Sequence, residues 1–168
     1  MVGRIRGGTR PLLVAVILSG AGILVAPTAH ADNNSLNRAV ISDVYTIQHN
    51  AGCTNDVIHN NALTLAAQWH ADDMLNNRNI NDDTGSDGSS PQDRANAAGF
   101  RGIAAETVAI NPAAAISSFE LVNQWYANPD DMAIIRNCAN TSIGVWSDNA
   151  LDRSVVVAVY GQPALPRR

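Results

Sequence analysis

The run RGIAAETVAINP, Arg101 to Pro112, places one carboxylate, Glu106, among Ile103, Ala104, Ala105, Val108 and Ala109. Such a glutamate either lies on the wet face of a strand or is drawn into a polar pocket. Inside a fold, an ionised carboxylate persists only with hydrogen-bonding or charged partners. Beyond residue 31 the chain offers three histidines, His49, His59 and His70. None stands at the i,i+4 spacing of a helical zinc site. His49 and His59 bracket a loop and read as surface residues. His70 falls on the apolar face of a helix and reads as a core histidine. As the partner of Glu106 it would have a raised pKa and would lower that of the glutamate.

A second carboxylate converging on Glu106, such as Asp83, would repel it. Either one of the two stays protonated or a hard cation, Ca²⁺ or Mg²⁺, joins them. The loop DTGSDG, Asp83 to Gly88, resembles a calcium loop at first sight. Gly85 stands at its third position and Arg94 at its twelfth, where that motif needs Asp or Asn and Glu. A solvated, turn-rich loop is the expectation, with no resident cofactor; Ca²⁺ or Mg²⁺ is the minor alternative. For nucleophilic chemistry there is no Gly-x-Ser-x-Gly elbow, and Ser86 and Ser89 sit in the same loop. A triad is defined by geometry rather than by sequence order, so a hydrolase or peptidase is kept as the alternative reading.

The elements that must position these groups follow from periodicity and caps. Asn34 or Ser35 caps a first helix, on which Leu36, Val40, Val44 and Ile47 form one stripe before Gly52 ends it. Asn61 caps a second, with Leu63, Ala66, Ala67, His70 and Met74 on one face. A polar loop from Asn79 to Ser90 leads to Ser90-Pro91, a cap followed by Pro at the first helical position; Gly99 closes that short helix. Ile103 to Ile110 is expected as a strand. Asn111-Pro112 repeats the cap-then-Pro signal for a helix carrying Ala115, Phe119, Val122 and Tyr126, which Pro129 stops. Ser142 to Asp148 alternates, with Ile143 and Val145 on one face, and Asn149 and Asp152 mark a hairpin turn. Ser154 to Tyr160, SVVVAVY, is apolar at nearly every position and so is expected to be covered on both faces. The fold class is α/β: an α-β-α sandwich with a small, mainly antiparallel sheet between helical layers. Trp69, Trp125 and Trp146 are expected in the core with hydrogen-bonded indoles. If a groove opens between the layers, they are also natural lining for an apolar ligand.

The first 31 residues read as a secretory signal peptide. Arg4, Arg6 and Arg10 precede an apolar run from Pro11 to Ala26, followed by Ala29-His30-Ala31 as the cut site. That run is shorter than the ~20 residues that span a bilayer, and GQPALPRR at the other end offers no apolar tail. No membrane span is expected. The cut leaves a single domain, residues 32–168, with eight Arg against fifteen acidic residues, a formal charge of −7. An acidic surface argues against nucleic acid as partner. Lys is absent throughout, which excludes Schiff-base chemistry and a Walker-type phosphate loop. Cys53 and Cys138 are an even pair in an exported chain and favour a disulfide; two free thiols are the alternative.

Four stretches, in order, resemble the CAP superfamily of cysteine-rich secretory proteins, venom antigens and pathogenesis-related proteins, in its bacterial SCP-like branch. They are NNALTLAAQWHADDM (Asn60 to Met74), DGSSPQDRANAAGF (Asp87 to Phe100), AETVA (Ala105 to Ala109) and SIGVWSD (Ser142 to Asp148) with the valine strand after it. The resemblance implies that Glu106 faces a cavity that in the family also holds a second carboxylate and two histidines. Glu120 is the nearest match to that carboxylate. Where the histidines stand, this chain has Asn81, Asp82 and Asp83 in one place and Asp130 and Asp131 in the other. The family's zinc-type site would thus be replaced by an acidic one, with Glu106, His70, Asp83, Glu120 and Asp131 as candidate ligand-binding residues. The implied function is non-enzymatic: binding an extracellular protein, lipid or small ligand near Glu106, by a protein that is secreted or associated with the cell wall. A purely structural or antigenic surface protein is the remaining alternative.

Overall fold

The computed structural model describes residues 30–164, with side chains from Asn33 onward. The elements run α1 (His30–Asn50), β1 (Ile58–His59), α2 (Asn61–Asn76), α3 (Pro91–Ala97), β2 (Gly102–Asn111), α4 (Ser118–Ala127), α5 (Pro129–Ile135), β3 (Ser142–Ala150) and β4 (Arg153–Pro163). The four strands form one sheet in the order β1-β3-β4-β2. β4 pairs antiparallel with both β3 and β2, and only the two-residue β1 is parallel to its neighbour.

β4 explains the three layers. Its side chains alternate between faces, and none from Arg153 to Gly161 is exposed. Val155, Val157 and Val159 pack with Leu63, Ala67 and Met74 of α2 and Ala95 of α3. Val156, Ala158 and Tyr160 pack with Val40 and Val44 of α1, Leu121 and Trp125 of α4 and Ile135 of α5. This is the α-β-α sandwich the apolar run calls for. On the first face α2 comes so close to β3 that a Cβ on Gly144 would overlap the backbone of Leu63 and Thr64. Only glycine fits there.

Local signals account for most element ends, and competition between them accounts for the exceptions. Ser90 caps α3 as a capping box with Asp93, and Gly99, at φ 96°, ends that turn. α2 is capped by Asn60, one residue earlier than expected, whose side chain accepts from Ala62 and Leu63 N–H. α1 already includes His30, ahead of Asn34 and Ser35. The segment read as a signal peptide lies outside the described residues except for His30 and Ala31, which belong to the first turn of α1. The expected helix from Asn111 does not form. Asn111 remains the last residue of β2, and the capping box Ser117–Glu120 starts α4 instead. The buried face of α4 is then Leu121 and Trp125, while Phe119 and Tyr126 are 75% and 50% exposed. Pro129 does not only stop α4; Asn128 caps a further short helix, α5, in which Pro129 is the first residue.

Cys53, just after α1, is bonded to Cys138, in the loop before β3. The bridge closes a separation of 85 residues, which in the chain-entropy model corresponds to about 4.6 kcal/mol as an upper figure. The double variant Cys53→Ser/Cys138→Ser should therefore unfold at lower urea, with a stability loss of roughly 2–5 kcal/mol. Equal midpoints for the two proteins would show that the bridge contributes nothing.

Candidate functional site

Glu106 sits in the middle of β2 with its side chain turned toward α2 and α3, and that side chain is 0% exposed. Its Oε1 accepts from Arg94 Nη2 at 2.9 Å and lies 3.4 Å from His70 Nε2. Arg94 comes from α3 and is itself buried. It also donates to the Ser89 carbonyl (2.8 Å), the Ser89 hydroxyl (3.2 Å) and the Asp83 carbonyl (2.7 Å). His70, fully buried on α2, donates Nε2–H to the Asp82 carbonyl at 2.9 Å. One guanidinium and one imidazole thus pin the polar loop after α2 onto the inner end of Glu106.

The sequence pairs Glu106 with His70, and the structure brings the two together, but the principal partner is Arg94. A signal for it exists. Arg94 and Ala95 are the two buried residues of α3, and a basic residue beside a core alanine on a short helix has to find an anion inside. The expected pKa directions are reversed. Burial pushes the Glu106 carboxyl up to about 8, against the pull of Arg94. Burial also pushes His70 down, although its bond to the Asp82 carbonyl acts the other way. Loss of solvation outweighs the charge partners in both groups.

Outside this sealed cluster, along the free edge of β2, lies a cavity of about 480 Å³. Asp82 and Asp83 line it from the loop that Arg94 and His70 hold. Asp130 and Asp131 line it from the first turn of α5, and Glu106 and Val108 line it from β2. Asp131 is pushed up by burial, reinforced by the negative charges of Asp130 and Asp83. Of the candidate residues, Asp83, Asp131 and Glu106 therefore share this cavity, with His70 behind it. Glu120 does not join them. Its Oε2 accepts from Ser117 N–H (3.0 Å) and Oγ (2.8 Å), so it serves as a helix cap. His49 and His59 bond locally, to the Tyr45 carbonyl and the Thr64 hydroxyl.

A divalent metal at Glu106 does not fit these residues. The one bonded carboxylate oxygen already holds a guanidinium, whose charge would repel a second cation. Among the described residues no three His, Cys, Asp or Glu side chains close on a common point. A second hollow, about 630 Å³, is lined by Trp69, Asp73 and Asp87 beside His70 and Arg94. Trp69 is 41% exposed there rather than buried. Trp125 is the core indole, donating to the Val108 carbonyl at 3.1 Å. Trp146 is half-buried, and its indole N–H has no partner among the described residues. The carboxylates of the second hollow are engaged by neighbours: Asp73 accepts from the Ser86 N–H and hydroxyl, and Asp87 from Ser89 N–H.

With this architecture in place, the chain belongs to the CAP family, the cysteine-rich secretory protein family, which its residues 50–160 match. Solved structures agree on the fold. An outer surface protein of Borrelia burgdorferi superposes with a TM-score of 0.65 at 19% identity, covering 76% of this chain and 92% of its own. An extracellular protein containing a SCP domain from Bacillus anthracis gives 0.65 at 15% identity, covering 77% and 41%. A cysteine-rich secretory protein of Staphylococcus aureus gives 0.55 at 12%, covering 79% and 40%. The present chain thus spans less than half of the last two. No curated protein matches the sequence.

A glutamate whose folded pKa is raised contributes stability that is whole below its ordinary 4.5 and is lost as pH rises through about 8. The depressed His70 does the reverse: its contribution is whole above 6.5 and is lost as pH falls. Glu106→Gln removes only the first dependence. The variant should gain on the wild type, by at most about 1.4 kcal/mol per pH unit, between about pH 5 and about pH 8. Parallel stability curves across that range would contradict a raised Glu106. Arg94→Met removes four hydrogen bonds from buried groups and should lower the urea midpoint throughout this range.

Proposed function

We propose that this chain is an exported CAP domain that binds a ligand in the acidic cleft along β2 and does not turn it over. The observation that carries this reading is the closure of Glu106. Its carboxyl is held by Arg94 with no solvent access, so it cannot exchange a proton with a bound substrate. The cleft beside it is lined by carboxylates, amides, Val108 and Ile134, with no hydroxyl, thiol or imidazole side chain among its lining.

The hydrolase alternative lacks its constellation among the described residues. The Ser86 hydroxyl donates to Asp73 at 2.7 Å, and Ser89 accepts from Arg94. His70 spends its Nε2–H on the Asp82 carbonyl. The hydroxyl–imidazole contact between Thr64 and His59 (2.9 Å) is at the exposed start of α2, where the Thr64 hydroxyl also bonds the Asn60 carbonyl. A nucleophile–base pair needs an orienting third group and a place for substrate, and this contact has neither. Secretion fits the disulfide, the family and the N-terminal sequence pattern.

The test is a screen of the purified protein against peptides, esters, CaCl₂ and MgCl₂, read both as a melting shift and as product formation. Binding without turnover is expected, with the shift lost in Asp83→Asn/Asp131→Asn. Reproducible turnover that disappears on changing Glu106 or His70 would overturn the proposal. Mass spectrometry of the exported protein should find Asp32 as its first residue.

A further inference from the structure

β2 is an edge strand, and its outer side is satisfied in an uneven way. Gln92 of α3 donates to the Gly102 carbonyl (3.0 Å) and accepts from Ala104 N–H (2.8 Å). Gln124 of α4 accepts from Ile110 N–H (3.2 Å) and donates to its carbonyl (3.0 Å). Trp125 takes the Val108 carbonyl. Each glutamine amide does for β2 what the N–H and C=O of one residue in a neighbouring strand would do.

All five of these bonds fall on even-numbered residues. In an antiparallel ladder alternate residues point both N–H and C=O toward the partner strand, and the residues between point both away. The N–H and C=O of Glu106 therefore point away from β4, toward the cavity that Glu106 and Val108 line. Burial supports this. Glu106 is 4% exposed as a residue while its side chain is 0% exposed, so the part of it that meets solvent is main chain. Among the described residues nothing bonds that donor or that acceptor from the outer side. The full rung at Glu106, with the Ala104 carbonyl and the Val108 N–H on either side of it, is left open between two glutamine-capped ends.

The walls of the opening indicate what would enter. A residue paired with Glu106 would send its side chain to the same face as Glu106, the α2–α3 side, where Asp82 and Asp83 lie. The next residue would point to the other face, toward Asp130 and Asp131 at the start of α5. We propose that the cleft binds an extended basic segment of another protein, one of its residues pairing with Glu106 through its own N–H and C=O, and two adjacent Arg or Lys side chains meeting the two pairs of aspartates. This rests on the reading of the cleft as the binding site and adds the ligand's class: main-chain hydrogen bonds give the register, and charge gives the preference.

Acetyl-Ala-Arg-Arg-Ala-amide is the probe, titrated into ¹⁵N-labelled protein and followed by NMR. The Glu106 amide should shift downfield and its hydrogen exchange should slow. Affinity should fall about tenfold or more when the peptide nitrogen that bonds the Glu106 carbonyl is N-methylated, and again in Asp83→Asn or Asp131→Asn. It should also fall as salt is raised. Agmatine, which carries the charge without the peptide, should leave the Glu106 amide unmoved. Equal binding of agmatine, of the methylated peptide or of acetyl-Ala-Glu-Glu-Ala-amide would overturn the proposal, as would no binding of the probe. If the probe fails while another compound shifts melting through Asp83 and Asp131, the cleft stands as a site and only the peptide assignment falls. If every compound fails, both fall.

Discussion

The contact between Arg94 and Glu106 is the constraint on which the site depends. It joins a short helix to the middle of an edge strand through a region from which water is excluded. The same guanidinium reaches the carbonyls of Asp83 and Ser89, so the loop after α2 is positioned by an internal charge and not by its own few apolar residues. Asp82 and Asp83 are thereby held with their carboxylates outward. A loop rich in Asp, Asn, Gly and Ser has little reason to adopt one conformation alone; here it is fixed from below.

How much of this could be read from the residues varies by element. The β4 run was legible because it is apolar on both faces, and a strand with helices on each side is the economical way to bury it. The inner face of α2 was legible through its three- and four-residue spacing. β1 was not, since two residues carry no period. α5 is not expected where Pro129 stops α4, although Asn128-Pro129 is the same cap-then-Pro pair that starts α3 at Ser90-Pro91. The reverse error arose at Asn111-Pro112, where ladder pairing with Ser154 holds Asn111 in the sheet and a capping box six residues later wins. The neighbours of Glu106 leave its direction open, and the family resemblance is what points it inward. Its partner is not legible, because neither the calcium-loop comparison nor the resemblance of Asp87 to Phe100 assigns Arg94 a contact.

The charges around Glu106 are arranged in two tiers. Asp82, Asp83, Asp130 and Asp131 stand on two elements that face each other across the edge of β2, at the rim of an elongated cleft, while Glu106 lies buried against Arg94. Carboxylates spread along such a rim repel one another, and a spread of positive charge offsets them better than one ion at one end.

The glutamines on β2 have a consequence for how these molecules behave together. A sheet in which both margins were free could continue from one copy to the next and grow into fibres. One margin here is a strand of two residues, and the other is stoppered at each end by an amide from its own helices. What stays open is too short for a second sheet to lengthen against. The molecule can receive a single thread there without becoming a template for its own polymerisation.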